Sequence, residues 1–531
     1  MRLFPLFRLI AAFAFLLSSA YSSDIPSTWI SYGPDHRLVY ETDTLGNRIP
    51  DFSRCGYTGG ETPLPIVPAK VTLKPVDGDA GKLIQDAIDT VSRLPADANG
   101  FRGAVLLRRG SYSIDGEIRI SSDGVVLRGE GDGPDGTRLM ATGTKQRSLI
   151  IVGPRSKSDS MEKKEGSPEV PKLAKSRRAI TDAYVPVGAT FLRVSNSDGL
   201  KIGDPVEVFR PSTGEWIHAL GMDQIPQNAA GTVEQWKPGS KNLTFGRKIT
   251  AIDDKLITLD APVCCALDQT YGGGELLTGV ADDSIRRVGV ENLSGDSEFS
   301  SPTDESHGWV LINLKAASDS WVRNVTSIHF GYSCVNVGKG SSHITVRDCT
   351  CLDPISIMTG GRRYSFAVDG QFTLVLRCHT RNGRHDFVMH SLAAGPNAFV
   401  ECSSEEAHSD SGPHHRWSVG VLYDNVSIHG SKKRDLSSGQ LNIRNRSSSG
   451  TGHGWAGANQ VLWNCDADSI TVEQPPTAQN WAIGCVATNL VGNGYWESKN
   501  QPVLPRSLYR AQLEERIGKK TADMVLASTQ E

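Results

Sequence analysis

Three histidines stand at one fixed distance before three anchor residues: His390 lies twelve before Cys402, His414 twelve before Val426, and His453 twelve before Cys465. The segments HSLAAGPNAFVEC, HHRWSVGVLYDNV and HGWAGANQVLWNC align without a gap, and FAVDGQFTLVLRC ahead of them fits the same frame with Phe366 in the histidine slot. Slots 366, 390 and 414 are 24 residues apart, and the step to 453 is 39, or 24 plus a 15-residue insertion. A unit this short cannot bury its own apolar face, so each segment reads as one turn of a coil stacked on the next. Equivalent side chains then line one face, with about 4.8 Å between turns paired as parallel strands.

The cysteines follow the same frame. Cys349, Cys378, Cys402, Cys465 and Cys485 close the similar runs ITVRDC, TLVLRC, AFVEC, QVLWNC and NWAIGC. A stacked, inward-facing row of small apolar thiols is the better reading, although disulfides between neighbours stay open. Cys55, Cys264 and Cys265 fall outside the row. Fifty-four glycines among short Val-, Ile- and Thr-rich runs indicate an all-β chain with frequent turns. Lys+Arg 56 against Asp+Glu 59 gives a net charge of −3, which argues neither for nucleic acid nor for an anionic membrane surface as a partner, and neither is expected. Residues 1–20, with Arg2 and Arg8, an apolar run from Leu9 to Leu17 and small residues at Ser18 and Ala20, read as a signal peptide for secretion or periplasmic export. No later run offers the roughly eighteen apolar residues of a membrane span. The expected chain is an exported monomer.

After an extended, proline-rich segment (21–76), GKLIQDAIDTVSRL places Leu83, Ile84, Ala87, Ile88, Val91 and Leu94 on one helical face. That helix is expected to cap the open end of the first coils, in a unit spanning 77–154, because an uncovered end coil exposes both core and strand edges. Residues 155–270 comprise a charged loop (156–178) and an irregular β pattern read as an inserted small β subdomain. Coils resume over 271–496, and 497–531 holds an amphipathic helix with Ser507 as N-cap. The fold expected is therefore all-β, a right-handed parallel β-helix with an N-terminal capping helix, an inserted subdomain and a C-terminal helix.

Over residues 75–150 and 275–490 the capping helix, the coils GAVLLRRGSYSI and GVVLRGEG, and the turn-length repeat resemble the pectate-lyase-like right-handed parallel β-helix superfamily. That resemblance implies polysaccharide lyases, glycoside hydrolases, epimerases or phage tailspikes, and does not choose among them. The polygalacturonase-type hydrolases of this fold carry a Gly-His-Gly, matched here by Gly452-His453-Gly454. Their Asp-Asp pair and Arg-x-Lys have no counterpart in the nearby coils.

Seven of the thirteen histidines fall between His385 and His453, interleaved with arginines. A basic groove of this kind suits an anionic polysaccharide. In β-elimination a cation stabilises the charge developing on a uronate carboxylate while a base removes the adjacent proton. Arg384 and Arg416 are the candidates to grip carboxylate, His385 or His415 to act as base, and His414 or His390 to orient or donate, with Asp386 fixing a histidine tautomer. Arg363, His408, His453, Trp417 and Trp455 are candidates for substrate binding. Against these stand blander roles: a structural histidine ladder, arginines paired with Asp386 or Asp410, and tryptophans that only pack. Three stacked histidines could ligate a transition metal, but the ladder spacing is wide for two ligands on one ion, so no cofactor is expected. The rival readings are a hydrolase using two of Asp369, Asp386, Glu405, Glu406 and Asp410, and a non-catalytic glycan-binding scaffold.

Overall fold

The computed structural model describes residues 25–155, 174–431 and 438–528. The signal-peptide reading and most of the charged loop lie outside the described residues. The chain winds into a right-handed parallel β-helix with three faces. The first face stacks strands that include Gly103–Leu107, Val125–Arg128, Ser342–Arg347, Leu374–Leu376, Ala394–Val400, Ser418–Asp424 and Val461–Trp463. The second runs through Thr350–Leu352, His379–Arg381, Ser403–Ala407 and Ser427–Gly430. The third runs through Gly308–Leu314, Ser333–Val337, Phe366–Val368, Phe387–Met389, Asp410–Pro413 and Gln440–Ile443.

A sharp corner joins the first face to the second, and one backbone feature makes it. Asp348, Arg377, Glu401, Asn425 and Asn464 all have φ near +50°, as single left-handed residues. Each stands directly before an anchor: Cys349, Cys378, Cys402, Val426 and Cys465. The pairing of Val400 with Asp424 and of Ser403 with Ser427 fixes these anchors in register on both sides. Their side chains point inward into one continuous core, and all ten cysteines are free and buried. The disulfide alternative is thereby set aside. Asn292 and Asn324 turn a corner in the same way, and the Asn324 side-chain Nδ2 donates to the Asn292 side-chain Oδ1 at 2.9 Å.

The helix Gly81–Ser92 buries Ile84, Ala87, Ile88 and Val91 over the first coils and caps them as expected. One coil strand, Ala69–Leu73, precedes it, inside the stretch read as an extended lead. At the other end the last strand is Tyr495–Glu497. The C-terminal segment forms two helices, Leu508–Ile517 and Lys519–Leu526, broken at Gly518. They do not cap the end. They lie along the outer side of the first face, where Leu508, Tyr509 and Leu513 join Phe52 and Cys55 of the N-terminal segment over Leu422 and Trp463. Buried on both sides, this face reads as nearly continuous apolar sequence. Asp424 anchors the arrangement by accepting from the Ser507 hydroxyl (2.6 Å) and the Tyr509 amide (2.8 Å), and burial pushes its carboxyl up to about 7.

The inserted subdomain is a six-stranded antiparallel sheet bounded by Ser176–Ala179 and Glu275–Thr278. Its core is shared with the β-helix: Trp216, Trp236 and Leu220 pack with Ala394, Trp417, Val419 and Ala458. It therefore docks at the corner between the third and first faces. No helix among the described residues is long and apolar enough to cross a membrane.

Candidate functional site

The third face carries two rows of polar rings on its two edges. Where the strands begin, Tyr332, Tyr364 and His385 stack on successive coils, with ring centroids 5.2 Å and 5.0 Å apart. This is the spacing of parallel strands. Where the strands end, His390 directly follows Phe387–Met389 and His414 directly follows Asp410–Pro413, so strand register makes these two histidines equivalent. Between the rows lies a floor of small groups. Phe366, Val368, Phe387 and Met389 point into the core, so Ala367 and Val388 face outward between them. On the next coil a side chain at Gly412, φ +120°, would meet the Asn442 carbonyl.

Over this low floor the rows meet diagonally. The Tyr332 hydroxyl lies 3.1 Å from His390 Nε2, two coils on, and the Tyr364 hydroxyl lies 3.0 Å from His414 Nε2, again two coils on. His414 also touches His385 (4.5 Å between centroids), His415 (5.1 Å) and His453 (5.2 Å). Five histidines and two tyrosines thus form one contiguous cluster, with His453 and Tyr332 its more accessible members.

Asp410 organises the charge. Its backbone carbonyl accepts from His385 Nδ1 at 2.6 Å, its carboxylate accepts from Arg446 Nη1 at 2.7 Å, and Arg444 lies 3.8 Å away. Burial opposes the charge on this carboxylate, but His385 and Arg446 outweigh it and hold the group well below the usual range. A carbonyl can only accept, so His385 Nδ1 bears the proton and neutral His385 presents a lone pair at Nε2, a buried atom with no hydrogen-bond partner among the described residues. Burial also keeps His385 and His414 uncharged below the ordinary histidine pKa. For His414 the neighbouring His385 imidazole, which would repel a second charge, and the Arg446 guanidinium add to the effect.

The residues named from sequence separate into two groups. His385, His390, His414, His415 and His453 converge. Arg416 joins them from the third-face corner, donating from Nη2 to Thr451 Oγ1. Arg384 turns its guanidinium to the Gly360 carbonyl and acts on His385 only as a nearby positive charge. Arg363 is an internal clip, donating to the Ser356 carbonyl (2.7 Å), so it is not a substrate-binding group. His408 pairs with the Asn382 side chain at 2.5 Å. Trp417 is fully buried edge-on to Trp216, and Trp455 donates from Nε1 to the Leu220 carbonyl at 3.3 Å. Both tryptophans seat the subdomain: Trp417 has no exposed face, and Trp455 is half-buried against it.

Asp386 points inward, bonded by Ser365 and Ser404 at 2.6 Å each, and Asp410 takes the tautomer-fixing role expected of it. Phe366 does not occupy a histidine slot. It pairs with Phe387 inside a strand, so the 24-residue spacing there is coincidental in phase. Among the described residues no three His, Cys, Asp or Glu side chains converge in the geometry of a metal site.

Tyr332, Tyr364, Arg446 and Thr451 were not singled out by sequence. A signal for the tyrosines exists: Tyr332-Ser333 and Tyr364-Ser365 are the same dipeptide at the start of consecutive third-face strands. Arg446 has none, since it lies in the insertion.

No known family profile and no curated protein matches the sequence. Among solved structures, ORF18 of Geobacillus virus E2 is similar at a TM-score of 0.39 and 12% identity, over 81% of this chain and 60% of its own. Tailspike gp49 of Pseudomonas phage LKA1 gives 0.37 and 11%, over 80% and 74%. The alginate lyase of Paenibacillus sp. str. FPU-7 gives 0.39 and 8%, over 81% of this chain and 100% of its own. The chain thus spans about three fifths of the viral protein's length, and it is to such viral and bacterial proteins, at low identity, that its architecture is similar.

Proposed function

We propose that the protein is an exported carbohydrate-active enzyme on a pectate-lyase-like β-helix, a lyase that cleaves a uronate-containing polysaccharide by β-elimination at the third-face cluster. The observation that carries this reading is the pairing of two tyrosine hydroxyls with imidazole nitrogens, beside a histidine whose free lone pair is fixed by Asp410, among several guanidinium groups. In the reaction the C5–H bond breaks, its electrons form the C4–C5 double bond, and the C4–O bond to the leaving sugar breaks. Desolvation keeps His385 neutral with its lone pair at Nε2, so it is the base this reading assigns to the C5 proton; because that atom is buried, substrate must displace a neighbouring ring to reach it. The Tyr364 hydroxyl and His414 share one proton and can deliver it to the leaving oxygen. Arg416 and Arg446 supply the positive field that stabilises the charge developing on the uronate carboxylate.

Hydrolysis needs two carboxylates flanking the scissile bond. Asp386 is committed to the core and Asp410 to Arg446. Glu405 and Glu406 are exposed on the second-face strand Ser403–Ala407, so the candidate carboxylate left at the cluster is Asp369, which follows Phe366–Val368 and stands in register one coil before His390. The test is a panel of uronic-acid polysaccharides followed by ultraviolet absorbance and reducing ends in parallel. An unsaturated product is expected. Reducing ends without absorbance would establish the hydrolase, and binding without either signal a glycan-binding scaffold.

A further inference from the structure

His453 reaches the cluster by a different route from His390 and His414. Strand pairing of Asp410 with Gln440 and Ser411 with Leu441 puts Arg444, not His453, in register with His414. Between Ile443 and Gly457 the chain makes an excursion that carries Arg446, Thr451 and His453. Its returning limb is held by the coil, where the Arg416 and Trp417 amides donate to the His453 (3.1 Å) and Trp455 (2.8 Å) carbonyls. Its tip, residues 448–451, is held by the inserted subdomain. Asn228 Nδ2 donates to the Gly450 carbonyl at 2.7 Å and to the Ser448 carbonyl at 3.3 Å, Thr232 Oγ1 donates to the Gly450 carbonyl at 3.2 Å, and the Glu234 amide donates to the Thr451 carbonyl at 3.1 Å.

The glycines of this excursion fit that contact. Gly452 (φ +89°) and Gly454 (φ +60°) are left-handed, and a side chain at 454 would strike Met222 and the Trp236 ring of the subdomain. A side chain at Gly450 (φ +56°) would strike the His453 ring itself. The Gly-His-Gly therefore records a close backbone approach of subdomain to coil, with His453 held at its tip.

We infer that the inserted subdomain is a working part of the site, and that Asn228 is a positioning residue that sets the His453 ring against His414 and His415 through the 444–456 excursion. Oδ1 accepts from the Ala230 and Thr232 amides at 3.1 Å and so makes the subdomain's own turn; Nδ2 donates to Thr232 Oγ1 at 2.9 Å within that turn and also crosses to the excursion. Asn228→Asp keeps the acceptor and turns the donor into a second acceptor facing carbonyls. The two Nδ2 bonds to the excursion are lost, and the Oδ1 bonds of the turn are kept.

The test uses the full chain labelled with ¹⁵N in its histidine rings. In Asn228→Asp the ring signals of His453 and its ring neighbours His414 and His415 shift, while those of His307 and His343, on distant coils, stay in place and the melting temperature is unchanged. Thr232→Val gives the same pattern more weakly. The kinetic half of the inference rests on the proposed lyase activity: kcat falls about 10²-fold with KM little changed, as for a reacting group misplaced by about 1 Å. Unmoved His453 signals would overturn the inference whatever the activity. So would shifts spread over all histidines with a lowered melting temperature, which would make the clamp merely structural. Shifted His453 signals in a protein without turnover on any uronate would leave the positioning role standing and remove the lyase.

Discussion

The row of anchors and the cluster of histidines were announced by one and the same periodicity, yet the structure realises them differently. Cys349, Cys378, Cys402, Val426 and Cys465 form a strict interior ladder, because each is gripped between a left-handed corner and two paired strands. The histidines lie at strand ends. There register survives for His390 and His414 and fails for Phe366, while His453 is held both by the Arg416 amide of the coil and by a subdomain clamp on the residues before it. Spacing carries spatial equivalence only as far as backbone pairing enforces it. Beyond the strand, ring contacts, ion pairs and an inserted sheet decide.

Perturbing each region should widen that contrast. The largest effect is expected on catalysis: Tyr364→Phe should lower kcat by about 10²–10⁴-fold in the unsaturated-product assay, with a loss of only about 0.5–1.5 kcal/mol in thermal unfolding from the missing Tyr364–His414 hydrogen bond. Next comes Asp410→Ala, which leaves the Arg446 guanidinium uncompensated in a half-closed site. It should cost about 3–5 kcal/mol in denaturant unfolding, since breaking a buried ion pair strands the partner. In the anchor row Cys402→Ser puts a hydroxyl where the thiol has only strand carbonyls nearby and should cost about 1–3 kcal/mol without changing the pH–rate profile. A Cys402→Ser variant with normal stability and altered kinetics would break the comparison.

The smallest effects are those of pH, and the two regions give opposite signs. Folded His414 titrates well below the ordinary 6.5, so the unfolded chain binds the extra proton, and this group's contribution to stability is lost as pH falls below 6.5. Folded Asp424 titrates at about 7 against an ordinary 3.8, so the folded chain holds the extra proton, and stability falls as pH rises through that window. Each slope is at most about 1.4 kcal/mol per pH unit. Melting temperatures from pH 4 to 8 should show His414→Gln removing a loss on the acid side and Asp424→Asn flattening the fall toward neutrality. An unchanged slope in Asp424→Asn would remove the C-terminal helix anchor as a titrating contact.

The coil period, the inward thiols, the capping helix, the inserted subdomain and the convergence of five histidines were all legible in the sequence, because each follows from the spacing of apolar and small residues along strands that must pair. Arg363, Asp386, Trp417 and Trp455 were misread because sequence does not say which way a side chain points: outward over the floor, inward to Ser365 and Ser404, or sideways to Trp216. Tyr332 and Tyr364 became partners of His390 and His414 only through a diagonal contact across two coils, a relation with no fixed offset along the chain. The repeat by itself determined the solenoid, since short-period apolar strands have no other way to cover their faces. The chemistry of the third face was decided by tertiary structure, since it depends on Asp410 meeting Arg446 and on the 222–236 segment holding His453, contacts between segments that no local pattern couples.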